Sequence, residues 1–217
     1  MVATLKILAI TSLYPPHHLG GYELRCQDVV ERLRALGHQV RVITSIYGVG
    51  EPVYEDGVAR VLHLSPSTSP WQRIRWDVQD LRFLKRQIET YRPDVIHLWH
   101  MARLTRSILP FLARFSIPIV YDEGGIGLVL AWQKRGRWFA LCEGEGGFHA
   151  KSLGRIVGRL VSGATGGVLP WKWQWPRGMF ACFNSARGLQ EADEAGVPLA
   201  NARVIYSGID LDVFSYR

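Results

Sequence analysis

Three short stretches of this 217-residue chain carry side chains able to do chemistry: LYPPHHLGGYE (Leu13–Glu23), HLWH (His97–His100) and the pair Asp122–Glu123. In the first, Gly20 and Gly21 stand just ahead of a segment with helical apolar spacing. Lacking Cβ atoms, they would let an anion approach the backbone, where a helix start offers free N–H groups and the positive end of its dipole. Turn geometry alone would also explain two glycines, and from these residues by themselves the two readings stand level. His17 and His18 are adjacent, so their side chains diverge and only one can face a cleft. His97, in or at the end of an apolar run, and His100 just beyond it are candidates for hydrogen bonding or acid/base work. Their spacing and the lack of a third nearby ligand argue against a metal site. A packed core histidine is the competing reading for His97. Asp122 and Glu123 end the next apolar run, where they either face a ligand or cap the helix that follows.

Familiar nucleotide loops do not fit. The glycines are not G-x-G-x-x-G, and the second apolar run ends in Thr44-Ser45 rather than in a carboxylate for a ribose diol. Lys151-Ser152 is the nearest thing to a Walker A ending, but Glu145 and Ala150 occupy the positions that need glycine. A nicotinamide or flavin dehydrogenase and a P-loop enzyme are therefore set aside.

The elements that must position these residues alternate. Apolar runs at 5–11, 39–45, 58–64, 94–99, 117–123, 179–185 and 202–207 read as strands. Helical spacing links Tyr22, Cys26, Val29, Val30, Leu33 and Leu36, with Gly37 as the stop. It recurs from Ile74 to Tyr91, and helices are also expected over 102–115 and 186–195. Strand and helix alternation predicts an α/β fold: a Rossmann-like, doubly wound, mainly parallel sheet whose ligands sit beyond the carboxyl ends of the strands.

Composition is that of a globular chain, 47% hydrophobic and 21% charged, and the length suits a substantial core. Three scattered cysteines form no disulfide framework, which points to a reducing, cytoplasmic setting. The apolar run near the N-terminus is too short for a signal peptide, and no window has the ~18 apolar residues of a membrane span. Twenty-six basic against nineteen acidic residues give a net charge of +7, which favours anionic partners. Nucleic acid ranks last among them, because the charge is spread over several helices.

Region 127–178 breaks the alternation and holds Trp132, Trp138, Trp171, Trp173 and Trp175. Its segment 149–161 places Leu153, Ile156, Val157, Leu160 and Val161 on one face and Lys151, Arg155 and Arg159 on another. With the indoles of WKWQW after it, stretch 149–175 could lie on a membrane surface, or the helix could pack on the sheet with the tryptophans filling its core or lining a pocket.

Taken together, LKILAITSLYPPHHLGGYELRCQDVVERLRALGHQVRVITS, RPDVIHLWH and CFNSARGLQEADEAGVP followed by ARVIYSGIDLDVF resemble the N-terminal domain of family 4 glycosyltransferases, retaining enzymes of GT-B fold. The resemblance covers roughly 1–125 and 180–214, with 127–178 as an insertion. Tyr206-Ser207-Gly208 departs from the usual Pro-Asn-Gly. It implies that 1–217 is one acceptor-side domain, inactive alone, whose C-terminal donor-binding partner domain lies outside this sequence. No cofactor or metal is implied; a nucleotide-sugar is the co-substrate, and the acceptor is a glycan, a small molecule or a lipid-linked group. By the same resemblance Gly20 and Gly21, with His18 and Tyr22 beside them, approach the donor diphosphate. His97 and His100 face the reacting sugar, and Trp99, Asp122 and Glu123 lie on the acceptor side. The family's Glu-x₇-Glu motif belongs to the second domain, so the same spacing from Glu23 to Glu31 is coincidental. The alternative is a stand-alone nucleotide- or anion-binding module without transfer chemistry.

Overall fold

The computed structural model describes residues 3–64, 69–99, 101, 103–143 and 148–208. Among them, eight strands form one sheet: β1 (Lys6–Ile10), β2 (Gln39–Ser45), β3 (Val53–Glu55), β4 (Val58–Leu62), β5 (Val95–Leu98), β6 (Ile119–Glu123), β7 (Phe180–Phe183) and β8 (Asn201–Val204). Their spatial order is β3-β4-β2-β1-β5-β6-β7-β8. Every neighbouring pair is parallel except β3 and β4. The helices are α1 (Gly21–Ala35), α2 (Pro70–Tyr91), α3 (Ile108–Leu112), α4 (Gly127–Gln133), α5 (Arg137–Glu143), α6 (Phe148–Ala164) and α7 (Ala186–Glu194).

Such a sheet buries both faces, so its strands read as apolar runs. Leu8, Ile10, Ile43, Ile96 and Leu98 join Leu81, Leu84 and Ile88 of α2 and the whole apolar body of α3 on one face. Ile7, Ala9, Val40, Val42 and Trp99 meet Cys26 and Val30 of α1 on the other. The chain leaves β1 toward β2 on one side and later resumes at β5 on the other. The switch point of the sheet therefore lies between β1 and β5, and the loops after these two strands flank it.

Helix ends follow local chemistry. Gly37 takes φ +88 just after α1, and the amides of Gly37 and His38 close on the carbonyls of Arg34 and Leu33. Ser69 accepts the Gln72 amide at 3.3 Å and Pro70 opens α2, four residues ahead of the expected start.

Three expectations change. The expected helix over 102–115 contracts to Ile108–Leu112: Arg103 has φ +66, outside helical backbone, and the Thr105 hydroxyl takes the Ser107 amide. An unanticipated hairpin strand, β3, borders β4 through Asp56 (φ +44) and Gly57 (φ +75), the two left-handed residues of a tight hairpin turn. The strand expected over 202–207 spans Asn201–Val204.

The insertion is helical. Trp132 and Trp175 meet edge to face at 5.6 Å, as do Phe139 and Trp173 at 5.2 Å, and the Trp138 indole donates to the Pro170 carbonyl at 2.7 Å. These indoles pack on the core rather than outward. Helix α6 crosses α5 on its glycines: a Cβ on Gly154 would stand 2.0 Å from the Leu141 carbonyl oxygen, and one on Gly158 2.8 Å from Cys142 Sγ. Of the aliphatic face, Leu153, Ile156 and Leu160 turn outward, exposed at 64%, 55% and 67%, while Val161 packs against the core.

This crossing predicts that Gly154→Ala lowers stability by about 1–3 kcal/mol, since a backbone carbonyl cannot yield as a side chain would. Gly163→Ala, with nothing within 4 Å of the added methyl, should raise stability by ~0.5–1 kcal/mol. Denaturant melts of the two variants check the contrast; equal shifts would contradict the close crossing.

Candidate functional site

The loop after β1 is built by its neighbours. The buried Arg60 of β4 donates to the carbonyls of Tyr14 at 2.9 Å and Pro15 at 2.5 Å. Ser45, at the end of β2, donates to the Ser12 carbonyl at 2.6 Å, and Thr11 to that of Leu13 at 3.0 Å. Ser45 thus stands at the end of the second strand as a loop anchor. His17 packs against the loop at Gly48, while His18 is exposed with its Nδ1 3.2 Å from the Pro16 carbonyl.

At the start of α1, Glu23 folds back to accept the Gly20 amide at 3.0 Å. The remaining amides of the first turn have no intrahelical acceptor, as at any helix start. A Cβ built on Gly21 meets nothing within 4 Å, and one on Gly20 makes only ordinary contact with Glu23 at 3.6 Å. Neither residue has a positive φ: Gly20 is extended at −159°, and Gly21 is already helical. The fold of this chain does not itself demand glycine at either position.

Behind that helix start lies a cluster joining β5, β6 and α1. Arg25 forms a bidentate pair with Asp122, at 2.8 and 3.2 Å, and its guanidinium stacks over Trp99 at 5.6 Å. The Tyr22 hydroxyl donates to the Asp122 carbonyl, and the ring meets Trp99 edge to face at 5.6 Å. Burial pushes the Asp122 carboxyl up, with Arg25 opposing it. Trp99 is fully buried, with its indole N–H lacking a partner, so it serves as a wall and presents no open surface to an acceptor.

His97 lies within β5, between Ala9 and Val120, with its ring 4.7 Å from Trp99. Burial, and secondarily the Arg25 cation, lower its pKa to about 4, so the imidazole is neutral near pH 7, and its Nε2 has no partner. That is a poor proton donor and a good neutral hydrogen-bonding group. Glu123 is spoken for: its oxygens accept the amides of Gly125 at 2.8 Å, Gly127 at 3.1 Å and Leu128 at 2.6 Å. It caps α4 and is buried, the other of its two sequence readings. His100 lies outside the described residues.

On the opposite side of the switch point, a cavity of about 510 Å³ opens among the start of α2, the loop after β5, and α4–α5. Arg73, Asp77, Arg103, Arg106 and Arg135 line it together with an apolar wall including Leu130, Trp138 and Phe139. Burial raises Asp77 to about 7 against the pull of the Thr105 and Ser107 hydroxyls. Nearby, His63 at the end of β4 pairs with Asp80 at 2.7 Å and stacks on Trp76. Trp138 belongs to the insertion expected to line a pocket, while the arginines, Asp77 and the His63–Asp80 pair carry no mark in the sequence. Arg103 and Arg106 sit in a stretch whose sequence predicts helix, and only the fold brings them to Arg73 and Asp77. Among the described residues no cluster of His, Cys, Asp and Glu is placed to hold a metal ion.

A doubly wound, mainly parallel sheet with helices on both faces defines a Rossmann-like domain. Residues 20–165, more than half of the chain, match the family described as Glycosyl transferase 4-like domain, and the chain belongs to that family. Among solved structures, it is similar to a glycosyltransferase from Rickettsia africae ESF-5 (16% identity, TM-score 0.55, 99% of this chain and 46% of that one). It is also similar to a sucrose-phosphate synthase from Thermosynechococcus elongatus (10% identity, TM-score 0.51, 96% of this chain and 92% of that one). The chain thus spans less than half the length of the Rickettsia protein. A search of curated proteins gave no match. The fold is the GT-B Rossmann-like α/β type expected from the resemblance.

Two pH effects of opposite sign follow. The folded pKa of His97, about 4, lies below its ordinary 6.5. As pH falls, the unfolded chain takes up the proton first and stability is lost from about 6.5 to 4. The folded pKa of Asp77, about 7, lies above 3.8, so its contribution is present below pH 3.8 and is lost as pH rises to about 7. Unfolding free energies of wild type, His97→Phe and Asp77→Asn across pH 4–8 separate them. Each variant should remove one of the two slopes, and parallel profiles would refute both assignments.

Proposed function

We propose that this chain is the acceptor-binding half of a retaining transferase that moves a sugar from a nucleotide-sugar donor, and that it needs a second, donor-holding domain to act. The observation that carries the reading is Gly21: an exposed glycine at a helix start beside the switch point, with empty space where its side chain would be and no backbone need for glycine. The leaving diphosphate gathers negative charge as the C1–O bond of the sugar breaks, and helix-start amides meet such charge without reorganising. The Arg25–Asp122–Tyr22 cluster holds that helix start in place. Neutral His97 supplies a hydrogen-bonding group behind it. The acceptor occupies the cavity across the switch point. Family membership supports transfer of a sugar; the retaining course rests on the resemblance to family 4.

Helix α6 supports peripheral contact with a membrane. Arg155 and Arg159 flank the exposed ridge of Leu153, Ile156 and Leu160, with the Trp171 indole under Arg159 at 5.0 Å and no acidic side chain in the helix. No described helix is long and apolar enough to cross a membrane. The contact would therefore be interfacial, through aliphatic side chains rather than the tryptophans.

Release of nucleoside diphosphate from a panel of UDP-, GDP- and ADP-sugars by the full-length protein tests the transfer reading. Gly21→Val should cut kcat/KM for the donor about tenfold or more at unchanged Tm, because its only cost falls on the ligand. Equal rates for the two proteins would sink the assignment of Gly21. For the surface, flotation with phosphatidylglycerol vesicles at low salt should carry the protein upward, and L153Q/I156Q/L160Q should abolish this. Failure of wild type to float would remove the membrane contact.

A further inference from the structure

The loop that leads to Gly20 and Gly21 contains two peptide groups without a donor. Pro15 and Pro16 carry no N–H, so the links from Tyr14 to Pro15 and from Pro15 to Pro16 offer carbonyl oxygens alone. Those two oxygens are the ones that Arg60 takes, Nη1 donating to Tyr14 at 2.9 Å and Nη2 to Pro15 at 2.5 Å. The carbonyls on either side also face side chains. Ser45 donates to that of Ser12 at 2.6 Å, Thr11 to that of Leu13 at 3.0 Å, and His18 Nδ1 stands 3.2 Å from that of Pro16. A run of backbone lone pairs just ahead of the α1 start is thus turned toward the protein's own polar groups.

Arg60 is an expensive group to place there. It is 2% exposed, and its carboxylate neighbour, Glu55 of the edge strand β3, is half-exposed with an oxygen 3.5 Å from Nε. A buried guanidinium persists only where its donors are matched. Its planar fork fits two adjacent carbonyls at once, which fixes the direction of both. The β2–β4 register shifts between Thr44, opposite Arg60, and Ser45, and such an irregularity re-aims the side chains beside it. Were the two peptide groups turned the other way, water could satisfy their oxygens. Those oxygens would then face outward, where an anion at the helix start would meet them.

The hold passes along the chain toward that helix start. Tyr14 bridges to His17, and its ring shares a core with Cys26 and Val30 of α1. His17 lies against Gly48, where an added Cβ would stand 2.2 Å from its Nδ1. Both ends of the turn are therefore fixed shortly before Gly20.

We propose that Arg60 is a positioning residue for the donor site: it turns the Tyr14 and Pro15 carbonyls inward, so that the leaving diphosphate meets the amides of the α1 start rather than the lone pairs of the loop before it. Arg60 acts through the backbone and touches no substrate. This rests on the reading of Gly21 as the donor contact.

Calorimetric titration of the full-length protein with UDP, GDP and ADP identifies the diphosphate bound most tightly, on which the variants are compared. Arg60→Lys keeps the charge but lacks the two-pronged fork, and should weaken binding about three- to tenfold with Tm little changed. Arg60→Met should weaken it about tenfold or more. Because both residues act on one site, Arg60→Met combined with Gly21→Val should lose little more than the worse single variant. A residue that only stabilises the fold would leave the affinity of the folded protein unchanged, or give losses that multiply. Should Arg60→Met not fold, the combination is made with Arg60→Lys. Wild-type affinity in Arg60→Lys, or multiplying losses, would overturn the inference and leave the donor site at Gly21 standing. Failure of the wild type to bind any of the three diphosphates, or wild-type affinity in Gly21→Val, would end the donor-site reading and this inference with it.

Discussion

The bidentate pair between Arg25 and Asp122 decides where the first helix begins relative to the sheet, and the rest of the site is arranged around it. The two residues are 97 positions apart in the chain. Their contact ties α1 to β6 across the intervening β5, over the indole of Trp99. Tyr22, one turn earlier in the helix, repeats the tie through the Asp122 backbone. Burial pushes this carboxyl up, and its arginine pulls against that rise. Removing the arginine alone would leave a buried, unpaired carboxylate, a loss of the kind that costs about 3–5 kcal/mol. The helix start therefore has little freedom, which is what a site built on backbone amides requires.

The glycines near that helix sort into two kinds once the packing is known. Gly124 is glycine because the Tyr22 ring lies where its Cβ would be, at 2.2 Å, so it belongs to the scaffold. Gly20 and Gly21 have no such neighbour. In sequence Gly124 and Gly21 look alike, and a turn explains either. Gly21 leaves space that the chain does not fill, and its place at the helix start beside the switch point is what links that space to a ligand.

Much of the architecture was legible because parallel strands buried on both faces must be apolar and their crossover helices amphipathic. β2 and α1 match their expected limits nearly residue for residue, while β5 and β7 lose a residue or more at each end. What stayed hidden depends on long-range pairing. Arg60 sits in VARVL, where an arginine reads as the polar face of a strand, yet it is buried to hold two loop carbonyls 45 and 46 residues away. Glu123 carried two sequence readings, and the three amides it accepts decide between them. The arginine cavity left no local mark, because its parts come from three separate crossovers.

The insertion between β6 and β7 joins the cavity wall to the exposed face of α6. Trp138 and Phe139 of α5 line the cavity, and Leu141 and Cys142 of the same short helix seat the glycines of α6. Because Gly154 and Gly158 let the two helices touch at backbone distance, α6 can turn its aliphatic ridge outward without losing its seat. An ordinary amphipathic crossover would bury that ridge and pack its glycines nowhere. The glycine crossing thus frees an apolar, cation-flanked surface on the helix adjoining the cavity wall.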